Sequence, residues 1–538
     1  MKLASKVGLG AVALVAVAVV AVRFGGSGAA KNGLDAALAN LPPGWKATHG
    51  TVSYDALSGQ AQVDDVVVTR DGQPFLTAGS VLASGIEGVT PTTPPTRIGK
   101  IVVRDLAAKL YRHVGRWELD GVEVANLRTV FDPAAYPNGK PASTAPLKLL
   151  ASMDATDVTL HVDLPPRSAD AKGLKISAID AHIEHFHNDD VSSRQFAKPP
   201  ANDSLQDWAF LADAARALSK EGSTVKGVSE TLPGIGAVSI GSAIMGSYRD
   251  GRIALLDEHD IVFTAEGKPN TLSVAKIGAK DVDLNKIIDS LPELEKSGGQ
   301  AKINANLKIG AFNIDDLSAN FEHAPLITMA SLSGGTLYDA DGTQSGTVTM
   351  RALKFVTTGR PLKPQAKLAL ERFGMADFSV DLDEAGTYTP GDGHMKLSKA
   401  DWKFYDLGTL HLALDADGLQ NISSPGSDQA EALKAIRLKS ATVQWTDNSL
   451  VNRVFKVASL QTGKSVDDLH TALALPIASV GMFLPNQPDA PAQLSAFLAD
   501  PKQLTVTLAP PEPVSLYDVA HASAQEKAAL LGVSVKGD

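Results

Sequence analysis

Apolar and polar residues alternate strictly in four segments of the chain, at residues 157–163, 301–309, 376–383 and 503–508. A strand places alternate residues on opposite faces, whereas a helix, with a period near 3.6, cannot separate the two sets. One polar face and one apolar face are typical of antiparallel sheets, because parallel sheets are buried on both sides. The pattern predicts a mainly β protein with some α-helix and about 20 strands. These strands are expected to form extended antiparallel sheet modules, built either as sandwiches or as an open groove.

Turn and break residues divide this β-rich chain. Asp-Gly dipeptides tolerate the positive φ angles of tight hairpin turns, so most of them are predicted to join neighbouring strands. They lie at residues 71–72, 120–121, 250–251, 341–342, 392–393 and 417–418. Proline cannot donate to a strand ladder, so proline-rich breaks mark the predicted module edges. The predicted divisions are a membrane anchor or signal segment (1–30), a first β-module (31–165), a second with a helical insertion (166–298), a third (299–425) and a C-terminal α/β unit with a tail (426–538).

Helical patterns are few. Apolar residues with helical spacing predict helices over Asn202–Lys220 and Asp283–Leu294, the second interrupted by Pro292. Near the C-terminus, Leu450–Leu460 is followed by Gly463 at a helix stop, and Ser465 with Asp468 resembles a capping box that opens Val466–Leu475. Predicted strands flank this pair of helices at Lys439–Trp445 and Leu504–Leu508. The pattern therefore predicts a C-terminal strand–helix–helix–strand unit.

The N-terminus carries one long apolar run, residues 7–22, bounded by Lys6 and Arg23. Sixteen helical residues span about 24 Å, and the long stems of the two flanking cations extend this towards the hydrocarbon thickness of a bilayer. The favoured interpretation is a single uncleaved helix in the inner membrane, with the bulk of the chain in the periplasm. The alternative is a signal peptide cleaved after small residues near Ala30, which gives a periplasmic or secreted protein. In both cases Lys2 and Lys6 favour a cytoplasmic N-terminus.

Composition narrows the chemistry. The chain has 538 residues, a formal net charge of −10 and no cysteine. The acidic balance argues against a nucleic-acid partner, and the missing thiols exclude disulfides, zinc ribbons and iron–sulfur clusters. Thr462–Ser465 resembles the end of a P-loop, but Ala458 occupies the position where that motif needs glycine. No catalytic motif is found, no cofactor is predicted, and the chain is predicted not to be an enzyme.

One cluster of possible metal ligands lies at residues 182–190, with the sequence HIEHFHNDD. Imidazoles and carboxylates at this density could hold zinc, nickel or copper. If strict alternation continues from Ile183, then His185 and His187 share the apolar face, and His182 lies on the opposite one. Two imidazoles are too few for a tight site without a distant third ligand. A solvated strand end is therefore preferred, no metal site is predicted, and His185 and His187 are the residues to examine if a metal binds.

The N-terminal arrangement resembles the AsmA-like proteins of the bacterial envelope and their relatives of the YdgA type, a family of unknown function. The similarity covers about 90 residues and is carried by the apolar run at 7–22, then Leu34–Gly44, Gly50–Asp55, Gly59–Val68 and Pro74–Gly79. It implies an inner-membrane helix followed by amphipathic strands that face the periplasm. Large members of the family look like β-lined channels for phospholipid, and the family offers no catalytic residues. The C-terminal unit at 439–508 departs from the family pattern.

Three functions follow from these observations as expectations. The first is a membrane-anchored periplasmic protein of the cell envelope that binds or guides lipid, with phospholipid and other envelope proteins as candidate partners. The second is a structural or interaction scaffold with closed β-sandwich cores and no ligand. The third is an envelope hydrolase or metalloenzyme, which rests only on the cluster at residues 182–190. The first two differ in whether the apolar strand faces are covered by protein.

Overall fold

A computed structural model of the chain describes residues 44–55, 57–88, 95–108, 111–163, 178–201, 207–232, 234–296, 307–356, 364–374, 377–419, 429–484 and 486–537. The predicted membrane segment at 7–22 and most of the alternating segment at 301–309 lie outside these ranges. Within them, no helix is both long enough and apolar enough to cross a membrane. The chain divides into two compact units, residues 1–268 with 276–309 and residues 269–275 with 310–538.

The first unit is mainly an antiparallel sheet. Its described strands are β1 (Trp45–Thr48), β2 (Val52–Asp55), β3 (Gln60–Arg70), β4 (Gln73–Glu87), β5 (Arg97–Ala108), β6 (Tyr111–Val122), β7 (Leu147–Asp163), β8 (Ala178–Ser193), β9 (Leu218–Lys220), β10 (Gly222–Leu232), β11 (Gly236–Met245), β12 (Tyr248–Arg249), β13 (Arg252–Ala265) and β14 (Thr271–Asp283), whose first residues belong to the second unit. From β3 to β8 each strand pairs with the next, and the ladder continues through β10, β11 and β13. Its helices are α1 (Val124–Phe131), α2 (Trp208–Ala217) and α3 (Asn285–Lys296), with 3₁₀ turns at Pro133–Ala135 and Pro137–Gly139.

The second unit continues the antiparallel pattern and ends in helices. Its described strands are β15 (Lys308–Phe321), β16 (Ala324–Tyr338), β17 (Gln344–Val356), β18 (Asp377–Thr389), β19 (His394–Phe404), β20 (Gly408–Asp417), β21 (Arg437–Asp447), β22 (Gln503–Leu508), β23 (Val514–Ser515) and β24 (Val533–Gly537). Its helices are α4 (Pro364–Phe373), α5 (Gln429–Ala435), α6 (Leu450–Thr462), α7 (Val466–Phe483), α8 (Ala490–Ala499), α9 (Leu516–His521) and α10 (Ala524–Leu531). Strands β15 to β22 pair each with the next, and β22 pairs with β24.

The prediction of a mainly β protein with antiparallel sheets is confirmed, and several local predictions need correction. The prediction that most Asp-Gly pairs join neighbouring strands is confirmed for the pairs at 71–72, 250–251, 341–342 and 392–393. The two exceptions are the pair at 120–121, which lies within β6, and the pair at 417–418, which ends β20. The predicted helix over 202–220 is shorter: its described part is α2, capped by Asp207, and residues 218–220 form β9. The predicted helix over 283–294 is α3, and Pro292 lies inside it.

The C-terminal unit contains a helix that the sequence pattern did not predict. Three helices, α6, α7 and α8, lie between β21 and β22, so the predicted strand–helix–helix–strand unit was incomplete. The predicted caps are confirmed. Gly463 ends α6 with a φ of 71°, and Ser465 and Asp468 form the complete capping box that opens α7.

In the first unit, each strand switches from one set of alternate residues to the other as its buried set. The switch occurs at the same height in neighbouring strands of the sheet. In β3, Ala61 and Val63 are buried before Asp65, whereas Val66 and Val68 are buried after it. Asp65 has a φ of 52°, and such a left-handed residue turns the following side chains to the other parity. We call the residues at this level the phase-shift row: Asp65, Gly79, Asp105, Gly115, Asp157, Glu184, Gly227, Gly241 and Asp260.

Aspartate and glycine face one another along much of this row for steric reasons. The aspartates at 105, 157 and 260 also have φ angles near 50°, a conformation that aspartate tolerates better than most residues. A Cβ on Gly79 would lie 3.1 Å from an Asp105 carboxylate oxygen, and one on Gly115 would lie 3.1 Å from the Asp157 Cβ. The row therefore keeps the apolar residues of each strand on one face of the sheet although the alternation changes phase.

Three buried clusters form the cores of the described chain. The largest joins the apolar face of β3 to β7 with α1, and Ile183 and Phe186 of β8 pack against it. A smaller cluster around Phe196 joins α1, β7 and α2. The third covers one face of β22 and β24 with α7, α8 and α10. The apolar face of the first unit is thus closed from β3 to β7, and no buried cluster continues it along β10, β11 and β13.

Candidate functional site

A row of large apolar side chains crosses eight neighbouring strands of the second unit. Its members are direct cross-strand partners from β15 to β22, so they share one face of the sheet: Ile314, Leu332, Met350, Leu382, Trp402, Leu410, Trp445 and Leu504. We call this set the apolar row. At about 4.8 Å between neighbouring strands, seven strand intervals extend it over about 34 Å.

Most of the apolar row is only partly covered. Leu382 is buried, and Leu504 packs against the cluster of C-terminal helices, but the other members are half-buried and belong to none of the three buried clusters. Val443, on the same face of β21, is 41% exposed. The alternating segment at 376–383 takes part through Phe378, which is half-buried, and through Val380 and Leu382, which are buried. An apolar face of this length without full cover is unusual for a protein in water.

The opposite face of these strands is charged and hydrogen-bonded. The Arg351 guanidinium donates to the Asp383 carboxylate over 2.7 Å and holds the pKa of Asp383 below its ordinary range. Next to this pair, Asp401 is hydrogen-bonded to His411, and at the far end of β20 Lys439 donates to Asp417 over 2.9 Å. The two faces therefore differ sharply, and the apolar row is the face suited to apolar contact.

A shorter row of the same kind occurs in the first unit. Val158, Ile183, Val228, Ile240 and Ile261 are cross-strand partners from β7 to β13. Val158 is buried in the largest cluster, whereas the members on β10, β11 and β13 are half-buried and outside it. Within one row, the face thus passes from closed to partly open.

The histidine cluster lies on the polar face of β8, so its predicted face was wrong. Phe186 packs against the largest buried cluster together with Ile183, which turns His185 and His187 to the other side. The parity of β8 therefore changes between Ile183 and Phe186, at the level of the phase-shift row, to which Glu184 belongs. His182 lies on the same side as His185 and His187, with its Nδ1 3.8 Å from the Asp157 carboxylate.

The side chains of this cluster are bonded to carboxylates. Asp154 of β7 accepts from His185 Nε2 at 3.1 Å and from His187 Nδ1 at 2.8 Å, and Asp189 lies 2.8 Å from His187 Nε2. In the described part of the chain, no three histidine or acidic side chains are grouped so that they could hold a metal ion. His185 and His187, the two metal candidates, are thus brought together around Asp154, whose carboxylate accepts a hydrogen bond from each ring.

The sequence pattern did not identify the apolar row, although its members are ordinary strand residues. Leu504 belongs to an alternating segment, but Leu410 and Trp445 do not stand out in the sequence. Their alignment depends on the register between strands that are far apart along the chain. The signal that could have helped is the density of tryptophan and leucine at alternate positions of β19 to β21.

Comparison with known proteins adds little to this geometry. A family model described only as an uncharacterized protein matches residues 401–538, a stretch that includes the strands from β20 to β24 and the C-terminal helices. No curated protein matches the chain.

Proposed function

We propose that this chain is a membrane-anchored protein of the bacterial cell envelope, held by residues 7–22, whose periplasmic β-sheet binds the acyl chains of phospholipid and has no enzymatic role. The apolar row carries the proposal. An extended acyl chain needs a long apolar surface without buried charge, and the row offers about 34 Å of leucine, isoleucine, methionine and tryptophan side chains.

The energetic argument supports an apolar ligand. Covering a large apolar side chain completely contributes about 1.5–3 kcal/mol relative to leaving it exposed. The half-buried members of the apolar row retain part of this free energy for a ligand. The face presents no lysine or arginine at the positions of the row, so the row suits the chain of a lipid rather than its phosphate.

Site-specific photocrosslinking tests the proposal with the full chain in bacterial cells. The photoreactive residue p-benzoylphenylalanine replaces Leu410, which belongs to the apolar row, or His411, the next residue, which lies on the charged face. Cells are grown with radioactive phosphate, irradiated, and the purified chain is examined for covalently attached label. We expect labelled phospholipid adducts at position 410 and a much weaker signal at position 411.

The other outcomes separate the alternatives. Adducts with a second protein at position 410, without lipid, would favour the scaffold. Equal labelling at positions 410 and 411 would show that the apolar row has no preference for lipid, and the proposal would fail.

A further inference from the structure

A lysine without an acidic partner lies at one end of the partly open apolar face of the first unit. Lys220 of β9 is half-buried, and its Nζ donates to Ser223 Oγ over 2.9 Å and to Asn188 Oδ1 over 3.3 Å. Both acceptors are neutral, and both residues are only 7% exposed. In the described part of the chain, no carboxylate forms an ion pair with this ammonium, and burial lowers its pKa below the ordinary lysine value. The charge of Lys220 is therefore uncompensated.

The surroundings of Lys220 differ from those of a lysine that is held by an ion pair. Lys276 of the same unit is also half-buried, but its Nζ lies 3.1 Å from the Asp257 carboxylate. The residue that follows Lys220, Glu221, pairs with Arg249 over 2.9 Å instead. A partly buried cation without an opposite charge is a candidate for binding an anion from outside the chain.

The side chains around this ammonium have hydrogen-bond donors to spare. Lys220 occupies the Asn188 carbonyl oxygen and one lone pair of the Ser223 hydroxyl, so the amide N–H groups and the hydroxyl proton are left to donate. The ammonium itself keeps a third N–H. Donors on three neighbouring side chains around one positive charge suit an anion with several oxygen atoms, and a phosphate group is such an anion.

The strand register places this group of donors on the apolar face. Asn188 pairs directly with Ser223, two residues beyond the pair of Phe186 and Val225. Phe186 packs against the largest buried cluster, so Asn188 and Ser223, at alternate positions of the same strands, lie on that face. From Ser223, five residues along β10 lead to Val228, a half-buried member of the shorter apolar row, over about 17 Å. A polar end followed by an apolar track corresponds to the headgroup and the acyl chain of a phospholipid.

We propose that Lys220, Asn188 and Ser223 bind the phosphate group of a phospholipid whose acyl chain lies along the partly open apolar face towards Val228. This site rests on the proposed function and deepens it, because it names the residues that hold the headgroup. The phosphate supplies the negative charge that Lys220 lacks. All the donors are side-chain groups, so the backbone pairing of β8 with β10 stays as it is when the lipid binds.

Photocrosslinking in cells tests the site with the full chain. The residue p-benzoylphenylalanine replaces Met245, the β11 partner of Ser223 on the same face, and the cells are grown with radioactive phosphate. The labelled adduct is compared in the unchanged background, in Lys220→Gln, which removes the charge, and in Lys220→Arg, which keeps it. The matched control is Lys226→Gln, because Lys226 is exposed on the polar face of β10. In each background, the probe at position 410 reports separately on the second unit.

A second measurement separates a lipid headgroup from free phosphate. The purified full chain is dialysed against radioactive inorganic phosphate, and the bound label is counted for the same variants. Amide exchange of β8 and β10 in Lys220→Gln shows whether the strand pairing is kept.

We expect a labelled phospholipid adduct at position 245 that falls about tenfold or more in Lys220→Gln and persists in Lys220→Arg and in the Lys226 control. The label at position 410 and the amide exchange of β8 and β10 should not change. Inorganic phosphate, which lacks the acyl chain, should bind far more weakly than the lipid.

Each of the other results contradicts the site in a different way. Equal adducts at position 245 with and without the Lys220 charge would overturn it, while label at position 410 leaves the proposed function intact. An equal loss in Lys220→Arg and Lys220→Gln, or faster exchange of β8 and β10, would give Lys220 a structural role instead. An adduct without radioactive label would exclude phosphate as the anion, and tight binding of inorganic phosphate without a lipid adduct would exclude the lipid. If neither position captures lipid, both proposals fail.

Discussion

The phase-shift row allows a sharp test of how the first unit is built. Gly241 of β11 faces Asp260 of β13, whose φ is 55°. A Cβ on residue 241 would lie 2.9 Å from both the Cβ and a carboxylate oxygen of Asp260. Because the backbone of Asp260 is itself restrained in the left-handed region, its side chain cannot retreat without moving the strand.

The expected cost of Gly241→Ala can be estimated from these distances. Introducing a methyl group into a tightly packed site costs about 1–3 kcal/mol. Alanine also lowers the conformational entropy of the unfolded chain relative to glycine, which offsets about 0.4–1 kcal/mol of this cost. The net loss is therefore about 1–2 kcal/mol, which increases local opening of the strand pair about 5- to 30-fold.

A double-mutant cycle isolates the cause. Asp260→Gly removes the side chain that the new methyl group meets and replaces aspartate by the residue best suited to a positive φ. We expect Gly241→Ala to cost much less in this background, with a coupling of about 1–2 kcal/mol.

Hydrogen exchange of the full chain, followed by mass spectrometry of peptides from residues 236–265, measures these changes locally. The matched control is Gly391→Ala, where a Cβ would meet nothing within 4 Å. If Gly241→Ala exchanges no faster than the unchanged chain, or if the two substitutions are additive, the steric explanation of the row is wrong.

Three further predictions concern the core, a helix cap and an ion pair. Ile101→Ala should lower the free energy of unfolding of the first unit by about 2–5 kcal/mol, because Ile101 is 0% exposed in the largest cluster; urea unfolding measures this, and a loss under 1 kcal/mol would contradict its burial. Ser465→Ala should destabilise the start of α7 by about 1 kcal/mol, visible as faster amide exchange in the first turn only; unchanged exchange there would show that the capping box contributes nothing. The hydrogen bond from Arg351 is the main cause of the lowered pKa of Asp383, so the ionised Asp383 stabilises the fold above the ordinary aspartate pKa and loses this effect as the pH falls through its folded pKa. Asp383→Asn should therefore flatten the acid side of a plot of the free energy of unfolding against pH. An identical acid slope in the variant would exclude the pair as a contributor.

Local signals in the sequence were sufficient where the structure depends on neighbours along the chain. Ser465 and Asp468 define a capping box within four residues, and the structure contains it. The missed helix α8 has proline in its first turn, where the absent N–H costs nothing, so the proline-rich stretch before it indicates a helix start as well as a break.

Predictions from the sequence failed where the structure depends on the strand opposite. Strict alternation placed His185 on the apolar face, because nothing within β8 shows that Glu184 faces Asp157 and Gly227. Each strand carries only a weak trace of the phase change: β3, β6, β7 and β8 have two residues, rather than one, between successive apolar positions. The apolar row is still harder to predict from the sequence, since its alignment depends on the register of eight strands.

The composition of the two apolar faces explains why similar alternation gives a closed face in one place and a partly open one in another. The closed face of β3 and β4 is built from small or β-branched residues such as Ala61, Ala78 and Val81, which are all at most 3% exposed. These side chains pack closely with the other residues of the largest buried cluster. The apolar row instead carries Trp402 of β19 and Trp445 of β21 on either side of Leu410 of β20, and all three side chains are half-buried. The two faces thus share the same alternation, and at these positions they differ in the volume of the side chains that the alternation brings to one side of the sheet.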